Sequence, residues 1–156
     1  MTAPLKSRCL VPGRASGPVL ALAEPLSLWG GVDPATGRIV EPRHPDLGRI
    51  LAGQILAMPA ARGSSSSSSI LAELLRAGVG PLAIVLGEPD EILAVGAVVA
   101  HELYGSECPV VVLAPDEYAR AAGYGFLTIE VDGSVSGSGP PGGIRTPDLL
   151  IRSQSL

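Results

Sequence analysis

Residues 54–87 read QILAMPAARGSSSSSSILAELLRAGVGPLAIVLG. The two apolar runs at its ends, 54–60 and 81–87, have the length and composition of strands buried on both faces. Between them Ile70, Leu71, Leu74 and Leu75 recur at helical spacing, and Gly78 supplies a C-terminal stop. Strand, helix and strand in this order make a parallel α/β unit. The stretch leaves one question open, the role of Ser64–Ser69. A serine run is ordinarily a flexible spacer between domains. Here neither flank could fold alone, because each would expose a strand of the buried type.

The pattern continues outward on both sides. Residues 89–105 open with Asp90 and Glu91, acids suited to a helix N-terminus, and run on as a mostly apolar helix. CPVVVLA (108–114) is a third buried strand and PDEYARAAG (115–123) a short helix. FLTIEVDGSV (126–135) is a last strand with an Asp-Gly turn signal. Upstream, 6–11 and 17–23 are short strands around a turn at Pro12–Ser16. Residues 24–49 carry Pro25, Pro34, Pro42 and Pro45 and form a long irregular segment, of the kind that is often functional. The fold class is α/β. A single β/β/α domain over 1–135 is expected, with the flanking hairpin segments forming a β layer on the parallel unit. Residues 136–156 begin in a Gly/Pro cluster and show no amphipathic face, so a disordered C-terminal extension is expected there.

Composition narrows the function. The chain has 156 residues, 46% of them hydrophobic, and only one Trp, three Tyr and one Phe, so its core is built from Val, Leu, Ile and Ala. Its formal net charge of −4 argues against a nucleic-acid partner, whose phosphates demand a basic face. No apolar stretch reaches the roughly 20 residues that span a bilayer, and the N-terminus lacks an apolar h-region. A cytoplasmic protein without a membrane partner is expected. Two cysteines, Cys9 and Cys108, cannot hold a zinc or iron–sulfur site alone, so this chain is expected to bind no metal itself. They read as small apolar residues on two strands.

The strand–loop–helix junction at the serines is an anion-binding geometry. The first amides of a helix point outward unpartnered, and the dipole adds partial positive charge. Serine hydroxyls supply further donors and one can cap the helix, while Gly63 lets a ligand approach the backbone. The GxxxxGK[ST] phosphate loop is absent, and a Ser-capped helix with a mobile entry loop explains the run equally well. Trp29 and the Gly30–Gly31 pair in SLWGGVDPATG (27–37) suggest a rigid loop at an interface or cleft. Asp33 in that stretch either faces the cleft or closes a tight turn through an Asx bond. His44, between Pro42 and Pro45, and His101, late in a helix, read as structural or surface residues. Glu88 and Asp90 follow a strand end, where α/β sites form, or are plain helix-start acids.

Three blocks, EPLSLWGGVDPATG, RGSSSSSS and GEPDEILAVGAVVAHELYGSECPVVVL, keep an order and spacing that resemble the small subunit, or swivel domain, of the aconitase X family. The resemblance covers residues 6–135. It implies an aconitase-like swivelling domain and a dehydratase active only with a large subunit, which would carry the iron–sulfur cluster. The all-serine loop resembles the bacterial cis-3-hydroxy-L-proline dehydratases, which yield 1-pyrroline-2-carboxylate. The archaeal phosphomevalonate dehydratase small subunits, whose loop is closer to GSTxGS, are the alternative. The substrate implied in either case is a small carboxylate.

The family's proton acceptor, the first serine after the glycine, falls on Ser64, and a second recurrent serine falls on Ser68. Gly63, Ser65, Ser68, Arg62 and Asp33 are the expected substrate contacts. A hydroxyl can serve as a base only where donors stabilise its alkoxide, and helix-start amides beside Arg62 or a partner's arginine would do so. Two non-catalytic readings compete. The helix after 89 also resembles the mobile phosphohistidine domains, but such a carrier needs a histidine at the helix start, where this chain reads DEILAVGA. A binding module that merely uses the anion loop is the other.

Overall fold

A computed structural model describes residues 4–140. Eight strands form one sheet in the order β1-β8-β7-β3-β4-β5-β6-β2. These are β1 (Leu5–Lys6), β2 (Arg8–Val11), β3 (Ala15–Ala21), β4 (Ile55–Met58), β5 (Ala83–Leu86), β6 (Val110–Val112), β7 (Phe126–Ile129) and β8 (Ser134–Ser138). Strands β3 to β6 are parallel and every other pairing is antiparallel. The four helical segments are α1 (Leu28–Gly31), α2 (Ser67–Arg76), α3 (Glu91–Tyr104) and α4 (Pro115–Ala122).

Strands β4, β5 and β6 are buried at every residue. The continuous runs ILAM, AIVL and VVV follow from that two-sided burial. One core joins Leu56, Met58, Ile84, Leu86 and Val110 to Leu71 and Leu74 of α2 and Leu93 and Ala97 of α3. A second core joins Ile55, Ala57, Ala83, Val85 and Val111 to Leu5, Leu127, Ile129 and Val135 of the antiparallel strands. The layers are therefore helix, parallel sheet and antiparallel sheet, the expected β/β/α arrangement. Each fully buried leucine contributes about 2 kcal/mol of transfer free energy.

Three local expectations change. The run 6–11 is not one strand paired with its neighbour. Ser7 breaks it into β1 and β2, which lie on opposite edges of the sheet and bring it nearly closed on itself. The Ser7 hydroxyl donates to the carbonyl of Gly133 at 2.7 Å and pins that break. Residues 126–135 are not one strand either. The Asp132-Gly133 turn folds them into the β7–β8 hairpin, so the expected domain limit at 135 falls inside β8. The rest of the expected disordered extension, 141–156, lies outside the described residues. Cys9 is on β2 as expected, but Cys108 precedes β6 rather than lying on it.

Candidate active site

The serine run sits where β4 hands over to α2. The chain leaves β4 through a parallel bridge between Leu26 and Ala61, and the Arg62 amide donates to the carbonyl of Leu26 at 3.4 Å. Gly63 follows with φ +113°. A β-carbon there would run into the Ser27 hydroxyl and lie 2.7 Å from the Ser27 β-carbon. Only glycine lets the serine loop press against residue 27.

The six serines are not an extended tether. The Ser64 hydroxyl accepts from the Ser66 amide at 2.9 Å, and the Ser64, Ser65 and Ser66 carbonyls accept from the Ser67, Ser68 and Ser69 amides at 3.0–3.2 Å. These bonds wind residues 64–69 into the first turn of α2. Ser66, at the N-cap position, makes no side-chain cap; Ser64 meets the Ser66 amide instead. Ser68 donates to the Ser65 carbonyl at 2.9 Å. Ser67 is buried, and its hydroxyl accepts from the Trp29 amide at 3.3 Å. Among the described residues the amides of Gly63, Ser64 and Ser65 meet no acceptor.

A pocket of about 60 Å³ opens here, lined by Arg62, Gly63, Ser64, Ser67, Asp90, Ile92 and Leu93 among others. Two helix starts therefore converge, that of α2 and that of α3. Gly96 makes this possible: a β-carbon there would lie 2.6 Å from the Ser68 carbonyl, so α3 can cross close to the serines. Asp90 caps α3 by accepting from the Leu93 amide at 2.9 Å. It serves as the helix-start acid and also reaches the serine pocket, a double role with no sequence signal beyond its place after a strand.

The remaining expected contacts divide. Gly63, Ser64 and Arg62 line the pocket, while Ser65 and Ser68 lie on the same turn. Arg62 is not a free cation, because its guanidinium pairs with Glu41 at 2.7 Å. The unpartnered amides are thus the available positive groups. Asp33 is not brought to the pocket. Its carboxylate accepts from the Ala35 amide at 3.0 Å and the Thr36 hydroxyl at 3.1 Å, the Asx turn that was its alternative. Its turn packs near the other end of α2, where Gly37 meets Val79. Trp29 stands 56% exposed beside the serine turn, on α1, whose backbone leaves helical geometry at Trp29 and Gly30.

Elsewhere, His44 is buried, with Nδ1 accepting from the Asp46 amide at 3.0 Å. Its Nε2–H then faces the Glu24 carbonyl at 3.1 Å, so this histidine braces the long loop. His101 lies at the surface near the Ser106 carbonyl. An iron–sulfur cluster does not fit this chain. Such clusters need about four thiolates, whereas the chain has two cysteines. Burial pushes the Cys108 thiol up to about 12, and Cys9 lies exposed on an outer strand. Among the described residues no group of three or more His, Cys, Asp or Glu gathers as a metal site. Nor is any described helix long and apolar enough to cross a membrane.

The family model of the aconitase X swivel domain matches residues 4–137. The chain is 51% identical over 106 residues to a cis-3-hydroxy-L-proline dehydratase of Pseudomonas aeruginosa, covering 68% of this chain and 18% of that protein. It is 42% identical over 131 residues to a protein of the same name from Hypocrea jecorina, covering 84% and 22%. The phosphomevalonate dehydratase small subunit of Pyrococcus furiosus is 43% identical over 96 residues, covering 62% of this chain and 72% of that protein. The aconitase X structure of Thermococcus kodakaraensis superposes with a TM-score of 0.75 at 31% identity, over 87% of this chain and 98% of that one. The chain spans about a fifth of the length of the two cis-3-hydroxy-L-proline dehydratases. It belongs to the aconitase X swivel-domain family.

Proposed function

We propose that this chain of the aconitase X swivel family is the small subunit of a cytoplasmic dehydratase that converts cis-3-hydroxy-L-proline to 1-pyrroline-2-carboxylate. The observation that carries the reading is the Ser64 hydroxyl, which accepts an amide hydrogen bond at 2.9 Å on the wall of a pocket edged by unpartnered amides. A free serine hydroxyl is a poor base. Donors aimed at its oxygen stabilise the alkoxide form and make proton abstraction feasible. Ser64 takes the proton from the carbon beside the substrate carboxylate, and the amides of Gly63, Ser64 and Ser65 hold the negative charge that develops. The hydroxyl on the neighbouring carbon leaves and, with the equivalent of the proton taken by Ser64, departs as water; the enamine so formed then shifts a proton from nitrogen to that carbon to give 1-pyrroline-2-carboxylate. This chain supplies the base and the anion cradle. The iron–sulfur cluster belongs to a large partner, since this chain has too few thiols to hold one.

Identities of 51% and 42% to cis-3-hydroxy-L-proline dehydratases favour that substrate. A second reading, phosphomevalonate, is favoured by the match to separately encoded small subunits over most of their length. Turnover of each substrate by the chain reconstituted with its large subunit separates the two. In the same assay Ser64→Ala lowers turnover about 100-fold or more, the scale of losing a positioned base. Ser66→Ala, whose side chain makes no cap, has little effect. Near-normal turnover by Ser64→Ala would refute the assignment of the base.

A further inference from the structure

We infer that the outward face of α3, with Val95, Val99 and Leu103 at its centre and Trp29 at its serine end, is the surface on which the large, cluster-bearing partner docks. The inference rests on the two-chain reading above. Sites that enclose small molecules have about 300 Å³ or more, and the serine pocket has about 60 Å³. This chain alone cannot surround a substrate at Ser64, so a second surface must close over the pocket and land on its rim.

One side of that rim is α3. Ile92 and Leu93 line the pocket, and Val95 lies one turn beyond Ile92. From Ile92 to Ala100 the helix has no charged residue. Yet Val95 is 52% exposed, and Val98, Val99 and Leu103 are also exposed. The other two long helices differ. Those helices, α2 and α4, carry Glu73 and Arg76, and Asp116, Glu117 and Arg120. A helix that faces water carries charge along its outer side, whereas α3 confines its carboxylates, Glu91 and Glu102, to the two ends of that face and leaves the valines between them uncharged. A groove of about 250 Å³ between α2 and α3 joins this face to the serine turn, running from Ser68 and Ser69 past Gly96 to Val99 and Tyr104. The apolar face and the catalytic turn are thus one continuous surface.

The occupant follows from the relatives. In the cis-3-hydroxy-L-proline dehydratases the matched segment is about a fifth of the polypeptide. There it has some four-fifths of a protein to pack against. Where the segment is a protein of its own it is named a small subunit. The partner that fits is a larger chain with an uncharged apolar patch to receive the valines and a pocket for the Trp29 indole, since tryptophan and depleted charge mark interface centres.

The test is titration calorimetry of the full chain against its large subunit from the same genome, with far-ultraviolet circular dichroism as the folding check. Val95→Glu combined with Val99→Glu changes only exposed side chains, and about 100-fold weaker binding is expected because two carboxylates would be buried unpaired. Val131→Glu, at an exposed position on the antiparallel layer, keeps wild-type affinity. A folded double variant that binds like wild type overturns the docking surface. Failure of the wild-type pair to bind at all overturns the two-chain reading instead. If light scattering finds the isolated chain dimeric and the double variant monomeric, a second copy is the occupant and the inference is wrong.

Discussion

Replacing Gly63 with alanine tests the geometry of the serine turn most directly. The backbone at φ +113° lies where an L-residue pays about 1–3 kcal/mol in strain. The new β-carbon would also strike the Ser27 side chain, with its β-carbon 2.7 Å away. Ser27 cannot retreat freely, because it leads into Leu28, which is only 1% exposed, and its own hydroxyl donates to the Trp29 carbonyl at 3.0 Å. Overpacking of this kind costs about 1–3 kcal/mol. Together about 3 kcal/mol is lost, a shift in Tm of roughly 6–12 °C for a chain of this size. Gly78→Ala is the comparison. Its φ of +75° is also left-handed, but nothing lies within 4 Å of the added carbon. It loses about 1 kcal/mol of conformational energy alone. Calorimetric melting of both variants, with turnover of the reconstituted pair, gives the answer. If Gly63→Ala melts like Gly78→Ala and turns over like wild type, the contact with Ser27 does not position Ser64.

Two other perturbations follow from the same structure. Ser67→Ala removes the acceptor of the Trp29 amide, at a cost of about 1 kcal/mol. Since Trp29 is the only tryptophan, loosening of its loop appears as faster quenching of fluorescence by acrylamide, and unchanged quenching would show that Ser67 does not hold it. The second perturbation is pH. Burial raises the Cys108 thiol to about 12 and also raises the Tyr118 hydroxyl. Both groups are neutral acids in the folded chain and ionise more readily when unfolded. Their neutral forms leave stability untouched below about pH 9, and stability falls as pH rises from there toward 12. The Tm is expected to drop between pH 8 and pH 10.5, while a thiol reagent at pH 8 modifies Cys9 in the native chain and Cys108 only after denaturation. A flat Tm or a fast-reacting Cys108 would count against this burial.

How much of this was legible in the sequence depended on the range of the cause. Strands β4, β5 and β6 and the helices between them were readable, because burial on both faces writes a continuous apolar run into the chain. The Asx turn at Asp33 was spelled locally by DPATG and needed no tertiary contact. The break at Ser7 was not readable. Its cause is pairing with β8 and a hydrogen bond to Gly133, 126 residues away, and nothing beside Ser7 announces either. The same holds for Arg62, whose charge is taken up by Glu41, 21 residues earlier and on the far side of β4 in the chain. Gly96 did carry a signal. A glycine inside an apolar helix weakens it unless another backbone needs the space, and here the Ser68 carbonyl needs it.

Identical residues in a row need not be redundant. Ser64 offers its oxygen to an amide on the pocket wall, Ser67 is buried and takes the Trp29 amide, and Ser68 turns back to the Ser65 carbonyl. Ser65 and Ser69 stand exposed, and Ser66 serves through its backbone alone. A linker would place six hydroxyls in water, and their exchange for glycine would be silent. A helix start turns each successive residue by about 100°, so a uniform run is distributed over the pocket, the Trp29 loop and the α3 groove at once. Serine suits all of these positions because it is small enough for the crossing at Gly96 and can both donate and accept. The uniformity of the sequence therefore conceals a division of labour, and single substitutions along the run separate it: loss of turnover at Ser64, loosening of the tryptophan at Ser67, and little effect at Ser66.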